Sequence, residues 1–397
     1  MAVDEATWRF VDEHQKDDVR QLALKKSKYA DIDFEFALQQ IQGRQKTRDK
    51  LPSLCAIPRF VFPSSLALEQ CSSELTAKYK VSILKGRDAM HCVSTMVDLT
   101  GGFGIDTLSF AQLFQICHYV EPQQQLCDIM AYNSQLLRLD HIQIHQATME
   151  EFIREMEDVE VIYADPSRRD IQGSKVVRLE DCTPNMLQYK DLLLQKCSLL
   201  MLKLSPMLDV KRALALLPET IEVHVVAVNG ECTELLFLFE KTKNVNVRFV
   251  AVNLKKNQSE SFCFTAQEES EALPIYTKEV KKYLYEPNAA ILKAGAFKSL
   301  AVRLGLEKLH PHTHLYTSDI QLDAFPGRCF QVGKVLSVKE AMHLKDDITK
   351  ANVSARNFPL GADELRKKLK LADGGEVYIF GTTIEKEQKV VIQCSRI

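Results

Sequence analysis

The chain has 397 residues, enough for two or more domains, and its 46% hydrophobic and 26% charged content is that of an ordinary globular protein. Its net charge of −2 excludes a chain that is strongly basic or acidic throughout. Eleven cysteines, an odd number with no C-x-x-C pair, favour reduced thiols in a cytoplasmic protein over a disulfide framework. No signal-peptide pattern or bilayer-length apolar stretch is present, so we expect no membrane association.

Residues 1–95 form a predicted helical N-terminal region. Apolar residues recur there at spacings of three and four, which is the period of a helix packed on one face. The predicted helices span residues 7–15, 19–27, 34–42 and 65–79.

Residues 96–242 alternate short apolar runs with helical patterns, which predicts a parallel sheet covered by helices on both faces. The predicted strands span residues 93–99, 117–121, 142–146, 160–164, 198–204, 221–229 and 235–240. The predicted helices between the early strands span 105–115, 123–138 and 149–156. The last two strands are too close for a crossover helix, so the seventh should run antiparallel to the sixth. This predicts an α/β fold with a Rossmann-like seven-stranded sheet, as expected of methyltransferases that use S-adenosylmethionine (SAM).

Residues 243–397 predict an α+β region that mixes short strands with helices. The predicted strands span 245–254, 260–266, 314–317, 328–338, 376–383 and 388–394, and the predicted helices span 278–284, 288–294, 296–304 and 362–370. Residues 281–397 carry 19 basic and 13 acidic side chains, a net charge of +6. This permits nucleic-acid binding, but an ordinary solvated surface fits equally well.

Residues 97–106, Val-Asp-Leu-Thr-Gly-Gly-Phe-Gly-Ile-Asp, predict a strand, a glycine loop and a helix. A dinucleotide loop would need a third glycine at position 107, which is Thr107. Asp98 and Asp106 instead place carboxylates beside the loop, where they would repel a pyrophosphate. They suit a ligand with ammonium and sulfonium charges, so we interpret the loop as a SAM site. Its candidate residues are Asp98, Thr100, Gly101, Gly102, Gly104 and Asp106.

Further cofactor contacts are expected from the ends of the next two strands. Glu121 follows the second strand, where a carboxylate accepts both ribose hydroxyls of a bound nucleoside. Thr148 and Met149 follow the third strand and would flank the adenine. A surface glutamate and an ordinary loop are the alternative interpretations.

The motif Asp165-Pro-Ser-Arg-Arg follows the fourth strand, and Asp165 and Pro166 would shape the methyl-transfer site. Amine methyltransferases often carry an Asp/Asn-Pro-Pro-aromatic motif here, and this chain lacks its second half. Arg168 and Arg169 would hold a phosphate or carboxylate, or pair with nearby acids. Lys203 and Ser205, after the fifth strand, would orient the substrate.

Two other segments have an ordinary structural interpretation beside a functional one. His310, His312 and His314 favour a polar turn over a metal site, since no Cys or Asp cluster accompanies them, and we expect no metal. The segment 69–76 contains helix-capping residues, or it contributes a contact to the cofactor.

The chain resembles a bacterial group of class I SAM-dependent methyltransferases with a C-terminal THUMP-like domain. The matching stretches are Lys50–Pro52, Leu68–Lys80, Asp98–Asp106, Asp165–Asp170, Lys203–Asp209 and Asn357–Pro359. The resemblance covers nearly the whole chain and implies four regions: helical 1–95, methyltransferase 96–242, α+β 243–325 with a ferredoxin-like insert, and THUMP-like 326–397. It also implies an RNA substrate, possibly tRNA, held by the C-terminal region. Thr100 departs from the usual loop glycine, and THUMP domains usually precede the catalytic domain.

We therefore expect a cytoplasmic SAM-dependent methyltransferase that acts on RNA. Two alternatives remain open at this stage. The chain could methylate a protein or a small molecule, or it could be a non-catalytic module that binds SAM or RNA.

Overall fold

The computed structural model describes residues 3–87, 94–167, 178–241 and 246–397. The chain divides into two compact units. The first contains Met1–Thr220 and Leu236–Lys243, and the second contains Ile221–Leu235 and Asn244–Ile397.

The first unit is an α/β structure preceded by helices, as predicted. Its helices are α1 (Glu5–Glu13), α2 (Val19–Ala23), α3 (Phe34–Thr47), α4 (Pro52–Cys55), α5 (Ser65–Gln70), α6 (Glu74–Lys85), α7 (Ile105–Phe110), α8 (Gln124–Leu136), α9 (Met149–Glu155), α10 (Met186–Lys196) and α11 (Val210–Leu216). The helix predicted over residues 65–79 is divided into α5 and α6. The division arises because the Ser73 hydroxyl accepts a hydrogen bond from Thr76 N and caps α6.

Five parallel strands form the sheet of the first unit, in the order β3-β2-β1-β4-β5. They are β1 (Thr95–Asp98), β2 (Ile116–Val120), β3 (Ile142–His145), β4 (Val159–Ala164) and β5 (Cys197–Leu204). Strands β2 and β3 lie on one side of β1, and β4 and β5 lie on the other. The order therefore reverses at β1, and ligands of such sheets bind beyond the carboxyl ends of the strands at this reversal.

A tight hairpin connects the two last strands of the predicted methyltransferase sheet, β6 (Glu222–Val228) and β7 (Glu231–Glu240). Asn229 and Gly230 form the turn, and both have positive φ, of 52° and 89°. A two-residue turn of this kind joins antiparallel strands, as the sequence predicted. In the second unit β8 (Arg248–Leu254) pairs parallel with β6, and β9 (Glu260–Thr265) pairs antiparallel with β8. These two strands extend the sheet beyond β6, on the side away from β7, and the predicted count of seven does not include them.

The rest of the second unit is built on a seven-stranded sheet in the order β11-β12-β10-β13-β16-β15-β14. Its strands are β10 (Tyr283–Pro287), β11 (Glu307–His310), β12 (Thr313–Ser318), β13 (Gly327–Ser337), β14 (Lys350–Arg356), β15 (Ala372–Ile384) and β16 (Gln388–Arg396). The helices of this unit are α12 (Ala266–Glu271), α13 (Ala289–Ala294), α14 (Lys298–Leu304), α15 (Leu344–Asp347) and α16 (Ala362–Lys368). Two hydrophobic cores pack on the sheet, one containing Phe380 and the other its neighbour Ile379. Successive strand residues point to opposite faces, so the cores lie on opposite sides of β15.

Three strands of this sheet differ from the sequence predictions. The helix predicted over residues 278–284 is wrong, because Tyr283–Pro287 form β10 in the middle of the sheet. Leu284 and Tyr285 are both fully buried, so this strand lacks the alternation that identifies a half-exposed strand. Strands β11 and β14 were also not predicted. In β14 most residues are half-buried and Ala351 is the one fully buried member, so the strand has few of the buried apolar residues that would indicate it.

Asn133 on α8 connects the helical region to the sheet. Its side-chain oxygen accepts a hydrogen bond from Val61 N (3.0 Å), and its amide donates to Val61 O (2.9 Å), both buried. Asn133→Ala leaves both backbone groups without partners, so we expect it to lower the free energy of unfolding by about 2–4 kcal/mol. Gln124→Ala, at an exposed position on the same helix, should change it by less than about 0.5 kcal/mol. Equal denaturation midpoints for the two variants would contradict this account.

Candidate cofactor and active site

The glycine loop lies at the carboxyl end of β1 and is compact. Gly102 and Gly104 have positive φ, of 54° and 84°, which favours glycine at both positions. Hydrogen bonds from Gly101 N to Val120 O (2.9 Å) and from Gly104 N to Gly101 O (2.8 Å) close the turn. A Cβ atom on Gly101 would lie 2.3 Å from the ring of Tyr119. The loop therefore passes so close to β2 that position 101 must lack a side chain.

Glu121, at the end of β2, is attached to this loop. One of its carboxylate oxygens accepts a hydrogen bond from Gly102 N, and the other accepts one from Gln123 N, each at 2.9 Å. The side chain is largely buried. Each carboxylate oxygen has two lone pairs, so both can still accept a hydroxyl from a ligand.

Asp98 is buried at the end of β1. Its carboxylate accepts hydrogen bonds from Thr100 N (3.1 Å) and from the Thr107 hydroxyl (2.6 Å). Burial raises the pKa of Asp98 to about 7, and the neighbouring Asp106 charge adds to this effect against the hydrogen bond from Thr107. A cationic ligand near this carboxyl would favour its ionised form.

The carboxylate of Asp106 has its hydrogen-bond partners and its counter-ion within the protein. Its carboxylate accepts hydrogen bonds from the Ser72 hydroxyl (2.7 Å) and the Tyr163 hydroxyl (2.8 Å), and the Lys80 ammonium lies 3.1 Å away. Burial opposes ionisation of Asp106, but the Lys80 and Lys203 cations and these hydrogen bonds outweigh it and hold its pKa below the ordinary value. Asp106 is therefore an ionised carboxylate with its own buried counter-ion.

Thr100 joins the glycine loop to the loop that follows β4. Its hydroxyl oxygen accepts a hydrogen bond from Asp165 N at 2.7 Å. A glycine at position 100, as in the usual methyltransferase loop, would lack this bond. The Asp165 carboxylate in turn forms an ion pair with Lys203 at the end of β5. The structure thus brings together Asp98, Thr100, the loop glycines, Glu121, Asp165 and Lys203.

The remaining candidate residues lie at the ends of neighbouring strands. Pro166 is buried, and Ser205 Oγ accepts a hydrogen bond from Met207 N (3.1 Å). Thr148 caps α9 in a reciprocal pair with Glu151, and Met149 is buried at the start of that helix. Arg168 and Arg169 lie outside the described residues.

Sequence reasoning assigned no site role to Lys80, Tyr163, Thr107 or Tyr119, and it included Ser72 only as part of the segment 69–76. Lys80 carried a signal, since it lies on the same side of α6 as the buried Ala77, Val81 and Leu84. A lysine on an apolar helix face needs a buried anionic or polar partner. The segment 69–76 supplies a helix cap through Ser73 and, through Ser72, a hydrogen bond to Asp106, while its contact to the cofactor stays a prediction.

Neither a metal-binding cluster nor a membrane-spanning helix is found among the described residues. No group of three or more metal-ligating side chains is found among them, and none of their helices is long and apolar enough to cross a bilayer. His310 is hydrogen-bonded to Glu387 and Asn357, whereas His314 stacks on Phe297.

A cleft of about 870 Å³ lies over β1–β3 and α9, lined by His118, His145 and Phe152 among others. None of the glycine-loop residues lines this cleft.

Comparison with known proteins identifies the family. A ferredoxin-like domain family matches residues 283–326, and a THUMP domain-like family matches residues 327–396. A presumed methyltransferase from Porphyromonas gingivalis W83 is 34% identical to the chain, with 100% of each chain covered and a TM-score of 0.87. This chain belongs to the family of that methyltransferase. The resemblance drawn from the sequence, including the THUMP-like C-terminal region, is confirmed.

Other solved structures share less with the chain. A presumed methyltransferase from Streptococcus mutans in complex with SAH is 14% identical, covering 42% of this chain and 98% of its own, with a TM-score of 0.33. An rRNA methylase from Streptococcus thermophilus is 13% identical, covering 42% and 93%, with a TM-score of 0.30. Comparison with curated proteins gives no match.

The raised pKa of Asp98 predicts that the free energy of unfolding of the ligand-free protein depends on pH. The folded state keeps a proton on Asp98 between the unfolded value of about 4 and the folded value of about 7. In that window the folded state binds a proton that the unfolded state has already lost, so the free energy of unfolding falls as the pH rises. Asp98→Asn does not titrate. Between pH 5 and pH 8 the difference in unfolding free energy between this variant and the wild type should therefore shift in favour of the variant by roughly 2.5 kcal/mol.

Denaturation of both proteins at pH 5 and pH 8 measures this gain. Asp140→Asn, at an exposed carboxylate, should show a constant difference from the wild type. A difference for Asp98→Asn that is equally constant with pH would refute a raised pKa.

Proposed function

We propose that the protein is a SAM-dependent methyltransferase whose substrate is RNA, with tRNA as the first candidate. The observation that carries the proposal is the arrangement at the end of β1 and β2. There the Glu121 carboxylate is bound to the backbone of the glycine loop, close to the buried carboxyl of Asp98.

The residues present fit SAM better than a dinucleotide. A pyrophosphate needs backbone N–H groups free of nearby negative charge. Here one of those groups, Gly102 N, donates to Glu121, and Thr107 donates to Asp98 where a dinucleotide loop would have its third glycine. SAM has no phosphate and carries ammonium and sulfonium charges that carboxylates attract.

Within this site Glu121 would hold the ribose hydroxyls, and Asp98 would face the cationic part of the ligand. The tight loop Gly101–Gly104 would let backbone approach the ligand closely. Thr148 and Met149 would border the adenine. Asp106 acts through its neighbours, because Lys80, Ser72 and Tyr163 occupy its oxygens.

Bound SAM supplies a methyl group on a positively charged sulfur, which a nucleophile displaces directly. The contribution of the chain is positioning and exclusion of water. Asp165 would accept a hydrogen bond or proton from an attacking amine, while the ion pair with Lys203 orients its carboxylate. Buried Pro166 stiffens this loop, and Ser205, Arg168 and Arg169 are proposed substrate contacts.

Two observations support RNA as the substrate class. Residues 327–396 match a THUMP domain-like family, and residues 281–397 carry a net charge of +6. The ten cysteines among the described residues are free thiols, which favours a cytoplasmic location. Methylation of a protein or small molecule, and a non-catalytic SAM- or RNA-binding role, are the alternatives that the assays below separate.

Glu121→Gln tests the cofactor site. Gln keeps the shape and one acceptor oxygen but removes the charge that would bind two ribose hydroxyls. We expect the affinity for SAM, measured by titration calorimetry, to fall about 30-fold or more. Glu13→Gln, at an exposed glutamate, should leave the affinity unchanged. Unaltered affinity in Glu121→Gln would refute the ribose assignment.

Asp165→Asn tests the transfer site. With labelled SAM and separate RNA, protein and small-molecule fractions of cells that lack the gene, we expect methyl incorporation into RNA about 100-fold slower than with the wild type. Affinity for SAM should change less than about threefold, because Asp165 would contact the acceptor. Wild-type incorporation into protein but not RNA would favour the first alternative, and no incorporation into any fraction would favour the non-catalytic module.

A further inference from the structure

We propose that Arg328 and Arg356 form a phosphodiester-binding site, held in place by the buried Glu286. This inference concerns the second unit and rests on the proposed RNA substrate. It names the side chains that would contact the RNA backbone.

One carboxylate holds both guanidinium groups. Glu286 lies on β10, and its side chain is 3% exposed. One of its oxygens accepts hydrogen bonds from Arg328 Nε (2.7 Å) and from Arg328 Nη2, and the other accepts one from Arg356 Nη2 (2.9 Å). Arg328 is the second residue of β13 and Arg356 is the last residue of β14, so the pair joins two strands that are not neighbours in the sheet.

The charges of this cluster do not cancel. Two guanidinium groups face a single carboxylate, which leaves a net charge of +1. The arginine side chains are 40% and 42% exposed, although the carboxylate that binds them is buried. The nearby Glu260 does not supply the missing negative charge, because it already pairs with Lys255 and accepts hydrogen bonds from Asn253 and Asn288.

A buried carboxylate needs one cation to be neutralised, and a second half-exposed arginine is more than stability requires. Each guanidinium has five N–H donors in a planar fork, and Glu286 uses a minority of them. The rest can reach an anion with oxygens on several sides, which a phosphodiester presents.

The arginines are also fixed before any ligand arrives. Arg328 lies over the ring of Phe330, 5.6 Å from its centroid. Arg356 donates a second hydrogen bond, from its Nη1 to the backbone oxygen of Ala355 at 3.4 Å. Ordering of these long side chains is thus already provided by the fold, which lowers the entropic cost of binding.

The test measures binding of fluorescently labelled bulk tRNA to the full-length protein over a series of KCl concentrations. We expect Arg328→Gln and Arg356→Gln each to weaken binding roughly tenfold at low salt. Each should also make the plot of log affinity against log salt shallower by about 0.7–1, because one fewer phosphate contact releases fewer counterions.

Arg366→Gln is the matched control, since Arg366 lies in the same THUMP-like region and pairs with one carboxylate, Asp363, at 2.9 Å. It should leave the salt slope unchanged. Arg328→Lys and Arg356→Lys keep the charge without the planar fork, so they should retain most of the slope and lose part of the affinity. If a Gln variant fails to fold, the loss of affinity in the corresponding Lys variant tests whether that arginine contacts a phosphate.

The outcomes separate this inference from the proposed function. Salt-dependent tRNA binding by the wild type, with the Gln variants indistinguishable from Arg366→Gln, overturns the phosphate site and leaves the RNA substrate standing. Absence of salt-dependent tRNA binding by the wild type overturns both. In that case, arginine-dependent binding of polyglutamate would assign the pair to an acidic protein partner.

Discussion

The first unit depends on how buried carboxylates are satisfied around one glycine loop. Asp98, Asp106 and Glu121 follow β1 or β2 within a short stretch of chain, and none of them is well exposed to water. Each accepts hydrogen bonds from this loop or from side chains packed against it. Because an unpaired buried charge is costly, these bonds help to fix the path of the backbone around the loop. The cofactor site that we propose rests on that arrangement.

Much of this unit could be predicted because its signals are local. The strand, the glycines at positions 102 and 104 and the acid at position 121 lie close together in sequence, and the parallel sheet brings their ends to one edge. The partners of Asp106 could not be predicted in the same way. Lys80 comes from α6, Ser72 comes from the connection between α5 and α6, and Tyr163 comes from β4. Only the fold brings these three side chains to a single carboxylate.

The second unit was harder to predict because strands β10 and β14 of its sheet lack a regular alternation of buried and exposed residues. Strand β10 is buried on both faces, and its first two residues fall at the end of a segment whose pattern predicts a helix. Strand β14 is only half-buried and has few buried apolar residues to indicate it. The cluster of Glu286, Arg328 and Arg356 draws on three strands that are far apart in sequence. Its charges look ordinary in the chain and become unusual only when one buried acid proves to hold two exposed cations.

The hydroxyl of Thr100 has a mechanical consequence. By accepting the backbone N–H of Asp165, it fastens the loop after β4 to the loop after β1. This bond limits how far the backbone of Asp165 can move from the glycine loop. A direct displacement at carbon is sensitive to the distance and angle of attack, and in the proposed site this threonine side chain would help to set both.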